Sequence, residues 1–222
     1  MKNIRILMTI LALLPSLLCM GKKGESPDTI SARRAFMEMP VGSLDMLSKN
    51  ARFDMLAYFD NDSIYGATNN LKGKAYLQKV TDSFLQVKLT EVSTLQLKIL
   101  KNKDGNDIIM TIYTVGRDGE TLDSEIRFYD PRLAELPTEK YFPTPKLSDF
   151  FDTKGYKTSM KDIESILPFY AIELKANPDN SNLTGRITIG DILTTEDMKL
   201  VEMFIRPGVT YVWNGKSYSI KK

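Results

Sequence analysis

The sequence contains no histidine and only one cysteine, Cys19. Without histidine the chain has no Ser-His-Asp triad, no histidine general base and no histidine metal ligand. A single cysteine near the N-terminus also excludes an internal disulfide and a cysteine-ligated zinc site. We therefore predict no cofactor, no metal site and no catalytic residue, and the sequence favours a non-enzymatic protein.

An excess of charge of one sign is also lacking. The 222 residues include 30 Lys or Arg and 28 Asp or Glu, and no block of five or six like charges occurs. A nucleic-acid-binding surface needs a clustered basic footprint that neutralises phosphates, so we expect no nucleic-acid partner. With 42% hydrophobic and 26% charged residues, the composition is typical of a globular protein.

The longest apolar run lies at the N-terminus. Residues 1–21 contain two basic residues followed by the apolar stretch 6–14, which is shorter than the roughly 20 residues of a spanning helix. This layout is typical of a secretory signal peptide and predicts an exported protein, periplasmic or associated with the outer membrane. Two kinds of processing fit the segment: cleavage near Gly21, or lipidation of Cys19, which would be the one route to membrane attachment.

Behind the signal, residues 22–30 form a polar tether and residues 31–222 a single α+β domain. Apolar residues at three- and four-residue spacing predict helices within 31–60, the second of them capped by Asn50. From residue 84 the spacing of apolar residues changes to two. Residues 84–129 are therefore predicted to form an antiparallel meander with one face in a core.

The second half of the chain combines short helices with hairpins. Residues 130–150 hold Pro131, Pro137, Pro143 and Pro145 and are predicted to be a long surface crossover, because proline cannot donate to a sheet. Capping boxes predict two short helices within 159–222. The expected fold is α+β, with a curved, half-barrel-like, mainly antiparallel sheet of about eight strands, N-terminal helices and two short later helices.

The last hairpin carries the first set of candidate ligand-binding residues. Asn214-Gly215 predicts a type I′ turn, which pairs Tyr211 with Tyr218 and places Trp213 on the same face. Such an aromatic cluster can stack on a sugar or a lipid. At strand spacing, however, aromatic side chains more often pack in a core.

Arg52 and Asp54 form a second candidate site at the start of the second helix. A buried pair of this kind can line the mouth of a ligand site. The alternative, a structural tie between the helix and the sheet, is favoured because buried ion pairs are mostly structural.

Short stretches spread over most of the chain after the signal form a recognisable set, namely Met39-Pro40, residues 52–55, 71–74, 88–95 and 123–129, and residues 211–216. Together they resemble an uncharacterised exported family, domain of unknown function 3256, which is typical of gut anaerobes of the Bacteroides type. The resemblance implies an exported or envelope protein. It brings no catalytic residues, because none are established for the family.

An exported protein of a Bacteroides-type cell would meet a periplasmic O-glycosylation system. Its acceptor resembles Asp followed by Ser or Thr and an apolar residue, and two triplets fit, Asp28-Thr29-Ile30 and Asp62-Ser63-Ile64. Thr29 and Ser63 are therefore candidate glycosylation sites. Both lie in polar stretches whose composition also makes such triplets common by chance.

Three classes of function remain. The sequence favours a non-catalytic envelope protein that binds an apolar or amphipathic ligand, or a protein partner. A structural or assembly component of the envelope without a small ligand is the alternative. A carboxylate-based hydrolase ranks third, because the chain has no histidine and no nucleophile motif.

Overall fold

The computed structural model describes residues 28–117, 122–167, 169–190 and 192–221. The predicted signal peptide, including Cys19, lies outside these ranges. The described helices are α1 (Ala32–Glu38), α2 (Lys49–Asp60), α3 (Thr138–Tyr141), α4 (Met160–Ile166) and α5 (Thr195–Val201), with 3₁₀ turns at Val41–Ser43, Leu147–Asp149 and Glu202–Phe204. None of these described helices is long and apolar enough to cross a membrane.

The strands form two antiparallel sheets. The larger sheet contains seven strands in chain order: β1 (Ala67–Thr68), β2 (Lys74–Val80), β3 (Phe84–Thr90), β4 (Ser93–Lys101), β5 (Asp107–Val115), β6 (Asp123–Tyr129) and β7 (Glu135–Leu136). The smaller sheet contains β8 (Ala171–Ala176), β9 (Leu183–Thr188), β10 (Val209–Trp213) and β11 (Tyr218–Ile220), in the order β11-β10-β9-β8. The predicted α+β class and the meander are confirmed. The expected eight strands become eleven within the described ranges, divided between two sheets.

The larger sheet carries a hydrophobic core on each face. In β5, Ile109 packs with the core that includes α1 and α2, whereas Ile108 and Met110 pack with the second sheet. This alternation follows from the two-residue period of a strand. The 209–220 hairpin therefore lies on the face of the larger sheet away from α1 and α2.

Four of the five described helices begin at hydroxyl side chains, and α3 begins after Pro137. Ser31 caps α1, and its Oγ accepts from the backbone N–H of Arg34. Ser48, not the predicted Asn50, caps α2, because Ser48 has the extended backbone of an N-cap while Asn50 already lies inside the helix. At α4 the predicted capping box is confirmed, since Ser159 and Asp162 exchange hydrogen bonds.

Residues 130–150, predicted to be a long surface crossover, contain short helices and a strand and are partly buried. They contain β7, which pairs with β6, then α3 and a 3₁₀ turn. The prolines are compatible with these elements. Pro137, for example, lies directly before α3, where the missing backbone N–H of proline costs no hydrogen bond within the helix. Tyr141, Phe142 and Phe150 are buried in the core between the two sheets, so this segment packs inside the fold.

The last hairpin has a different register from the predicted one. Tyr211 pairs with Ile220 and Trp213 pairs with Tyr218, a shift of two residues. Asn214 N–H donates to the Ser217 carbonyl, so Gly215 (φ +86°) is the first central residue of the turn, the position that glycine takes in type II′ turns. Because the shift is even, each side chain keeps its predicted face.

Candidate functional site

The face of the larger sheet toward α1 and α2 changes from apolar to polar across the strands. Leu95 of β4 lies beside Tyr113 of β5, which lies beside Glu125 of β6. The next row likewise runs from a leucine through Thr111 to Arg127. Helices α1 and α2 contact β1 to β4. The polar half of this face, on β5 and β6, is therefore covered by the segment that joins these two helices.

A cleft opens where that segment, residues 41–47, passes over the sheet. It has a volume of about 270 Å³. Its walls come from the connecting segment and from β3, β4, β5 and β6, and they include Gly42, Leu44, Asp45, Leu47, Leu89, Leu95, Thr111, Tyr113, Glu125, Arg127 and Tyr129. The cleft therefore joins an apolar wall to a polar one.

The apolar wall is firmly built. Leu44, Leu47, Leu89 and Leu95 are all buried. The connecting segment is held from outside by the turn between β1 and β2, where Asn70 N–H donates to the Met46 carbonyl at 3.0 Å. The apolar wall is thus largely formed before any ligand binds.

The polar wall is an ion pair on β6. Arg127 donates from Nε to Glu125 Oε1 at 2.8 Å, and its Nη2 lies 2.7 Å from the same oxygen. The hydrogen bond with Glu125 raises the pKa of Arg127 above its ordinary value, and Tyr129 adds a smaller contribution of the same sign. Both side chains are partly exposed, so they can contact a ligand.

Arg52 and Asp54 are not paired. Arg52 is 1% exposed, and its Nη1 donates to the carbonyls of Phe36 and Met39 at the end of α1. Burial lowers the pKa of Arg52 below its ordinary value. Asp54 is exposed on the other side of the helix. The geometry gives Arg52 a structural contact between helices, and the predicted buried pair does not form.

Tyr211 and Tyr218 lie in the core between the sheets. Both rings pack on Phe142, with centroid distances of 4.8 and 6.0 Å. Trp213 is half-buried rather than fully buried, and its Nε1 donates to the Lys101 carbonyl at 2.8 Å. None of these three side chains lines the cleft, and their part in ligand binding stays a prediction.

The hydroxyls of Tyr211 and Tyr218 have no hydrogen-bond partner in the described part of the chain. We expect Tyr211→Phe and Tyr218→Phe to leave the free energy of unfolding unchanged or to raise it by about 1 kcal/mol, because a buried hydroxyl without a partner is costly. Urea unfolding measures this change. A loss above about 1.5 kcal/mol in either variant would show that the hydroxyls are paired.

The same burial predicts a dependence on pH. It raises the pKa of Tyr211 to about 12 and that of Tyr218 further. The folded protein therefore keeps protons that the unfolded chain loses near pH 10, and stability should fall as the pH rises above about 10. The double Phe variant should lose less stability over this range.

The candidate modification sites have different surroundings. Thr29 is exposed, at the start of the described chain. Ser63 is partly buried, and its Oγ accepts from the backbone N–H of Tyr65, while Ile64 is 88% exposed. Glycosylation of Thr29 and Ser63 stays a prediction, and Cys19 lies outside the described residues.

The sequence did not single out the residues of the cleft. No sequence pattern marks Asp45, Tyr113, Glu125 or Arg127 as a ligand-binding residue, because charged residues on the polar face of a strand are mostly solvated. The alternation in β6 did place Glu125 and Arg127 on one face. What it could not show is that the helices stop short of this part of the sheet.

Further depressions occur on other surfaces of the described residues, and two of them are clearly larger than the cleft. One has a volume of about 390 Å³, is more open to solvent, and lies between β6 and β8 beside Ile126, Phe142 and Ile172. The other, about 400 Å³, is lined mostly by polar side chains of β2 to β4 and β8. The described residues contain no group of three or more Asp, Glu, His or Cys placed to hold a metal ion.

A family model described as "Protein of unknown function (DUF3256)" matches residues 28–218. The chain belongs to this family. The family match covers every strand of both sheets but the end of β11, and all residues of the cleft. The resemblance seen in the sequence is thus confirmed, and it leaves the function of the family open.

A solved structure shares the fold. It is described as the structure of a domain of an uncharacterized protein from Porphyromonas gingivalis W83, with a TM-score of 0.69 and 20% sequence identity. The alignment covers 87% of this chain and 99% of that one. No curated protein matches the chain.

Proposed function

We propose that this member of the DUF3256 family is an exported envelope protein that binds an amphipathic small molecule in the cleft and catalyses no reaction on it. Export is supported by the signal-like pattern of residues 1–21. Binding is supported by one observation above all: a single cleft joins buried leucines to an exposed ion pair.

Each wall of the cleft suits one part of such a ligand. An alkyl chain over Leu89 and Leu95 would leave water and gain about 0.8 kcal/mol for each methylene group that is buried. A polar head at the other end would stay near Glu125 and Arg127, which remain in contact with solvent. Small-molecule sites commonly combine an apolar wall with a few polar groups in this way.

The two larger depressions fit this ligand less well. The groove beside β8 has apolar side chains but is shallow and open. The depression over β2 to β4 is lined by glutamines that already bond one another, from Gln96 to Gln86 and from Gln86 to Gln78. Its polar lining offers no place for an alkyl chain.

The test is a calorimetric titration with octan-1-ol, using a blocked cleft as comparison. Gly42 lines the cleft, and a side chain added there would enter open space. Gly42→Phe should therefore fill the cleft without disturbing the fold. Gly190→Phe is the matched control, because Gly190 also faces open space but lies outside the cleft.

We expect saturable binding to the natural sequence and to Gly190→Phe, and binding at least about tenfold weaker to Gly42→Phe, which corresponds to about 1.4 kcal/mol. Equal binding to all three proteins would place octan-1-ol elsewhere. Absence of binding to the natural sequence would favour the alternative function, a structural component of the envelope without a small ligand.

A further inference from the structure

The charges around the cleft are unequal. Three charged side chains line it, Asp45, Glu125 and Arg127, so the lining carries a net charge of −1. Asp45 is exposed, and its backbone carbonyl is held by the side-chain amide of Asn70. The backbone that carries this second carboxylate is therefore held at the edge of the cleft by the same turn that holds the connecting segment.

The two side chains of the ion pair also differ in their exposure and in how many of their atoms are engaged. Both contacts of Arg127 with Glu125 fall on Oε1. Within the described ranges, no hydrogen bond or ion pair engages Glu125 Oε2, and the Glu125 side chain is 57% exposed, against 40% for Arg127. The Glu125 carboxylate is thus the more exposed member of the pair and keeps one oxygen, Oε2, open to a ligand.

From this geometry we infer that the cleft selects an amphiphile with a cationic ammonium head over one with a carboxylate head. The inference rests on the proposed function and adds the class of its ligand. An ammonium group donates up to three hydrogen bonds, which Glu125 Oε2 and the Asp45 carboxylate can accept. A carboxylate head would meet two like charges and a single guanidinium, two of whose five N–H donors already bond Glu125.

The expected preference is moderate, because the groups involved are partly exposed to water. For unit charges a few ångströms apart near a protein surface, the effect on affinity is on the order of tenfold. It should shrink as salt is added, since screening weakens interactions between exposed charges. Selectivity by shape alone would not change with salt.

Three probes of equal chain length separate head from tail: octylammonium, octan-1-ol and octanoate. Near pH 7 the amine is protonated and the acid is ionised, as for the Lys and Glu side chains. We expect calorimetry at low salt to order the affinities as octylammonium, then octan-1-ol, then octanoate. The first and last should differ by about tenfold or more.

Variants assign the preference to the cleft. Glu125→Gln removes one negative charge and leaves Arg127 without its partner, so octylammonium should lose its advantage and octanoate should bind at least as well. Asp45→Asn should reduce the advantage without reversing it. Glu139→Gln is the matched control: it makes the same change in net charge at an exposed residue that lines the groove beside β8 instead, and it should leave the order unchanged.

The outcomes separate the two claims. If none of the three probes binds, the proposed function is wrong and the inference falls with it. If the probes bind but octanoate binds as tightly as octylammonium, the inference is wrong while the proposed function stands. A preference for octylammonium that survives Glu125→Gln unchanged would also overturn the inference, because the cleft charges would not be its cause.

Discussion

Replacing Arg52 with alanine is expected to lower the free energy of unfolding by about 3–5 kcal/mol. Arg52 is almost fully buried, and its guanidinium holds the last carbonyls of α1, those of Phe36 and Met39, against α2. Its removal leaves a cavity and two buried acceptors without a donor. Chemical unfolding in urea measures the loss.

Two further variants separate the causes. Arg52→Met keeps most of the side-chain volume and removes only the hydrogen-bond donors. It should therefore lower the free energy of unfolding by about 2 kcal/mol. Asp54→Ala should change stability by no more than about 0.5 kcal/mol, because Asp54 is exposed. If Asp54→Ala cost as much as Arg52→Ala, the two residues would act as a pair, contrary to the geometry.

Replacing Asp107 with alanine is expected to lower the free energy of unfolding by about 3 kcal/mol. Asp107 is fully buried at the start of β5, where its carboxylate accepts from Ile30 N–H at 2.7 Å and pairs with Lys101. Its own N–H donates to the Asp28 carbonyl. The residue thus fastens the segment before α1 to the sheet, and without its carboxylate the buried N–H of Ile30 has no acceptor.

Asp82→Ala provides the control for this contact. Asp82 also holds the segment before α1, but through its backbone carbonyl, which accepts from Ala32 N–H at 2.8 Å, while its side chain is exposed. Asp82→Ala, which keeps this carbonyl, should lower the free energy of unfolding by no more than about 0.5 kcal/mol. Hydrogen exchange at Ile30 should accelerate in Asp107→Ala and not in Asp82→Ala; equal exchange in both would show that the carboxylate does not hold the segment.

Local patterns predicted most of the secondary structure. The helices within 31–60, the meander through β6 and a short helix that begins at Ser159 follow from periodicity and hydroxyl side chains, which act within a few residues. Where two local solutions compete, tertiary contacts decide. Asn214-Gly215 suits a type I′ turn, yet the strand takes the register that lets the Trp213 indole reach the Lys101 carbonyl.

The same dependence on tertiary contacts explains why the residues of the cleft could not be predicted from the sequence. Arg52 and Asp54 are near in sequence, but two residues apart on a helix point in different directions, so one is buried and the other exposed. The cleft brings together Asp45, Leu95 and Glu125, which are far apart in the sequence. Their meeting depends on how much of the sheet the helices cover, which no local pattern encodes.

The binding of an amphiphile in the cleft is tested most directly by locating its alkyl chain. We would measure nuclear Overhauser effects between octan-1-ol and protein with labelled Leu and Ile methyl groups. The account predicts contacts from the alkyl protons to Leu89 and Leu95, and their loss in Gly42→Phe. Contacts to Ile126 and Ile172 in the groove beside β8 instead, or no contacts at all, would contradict it.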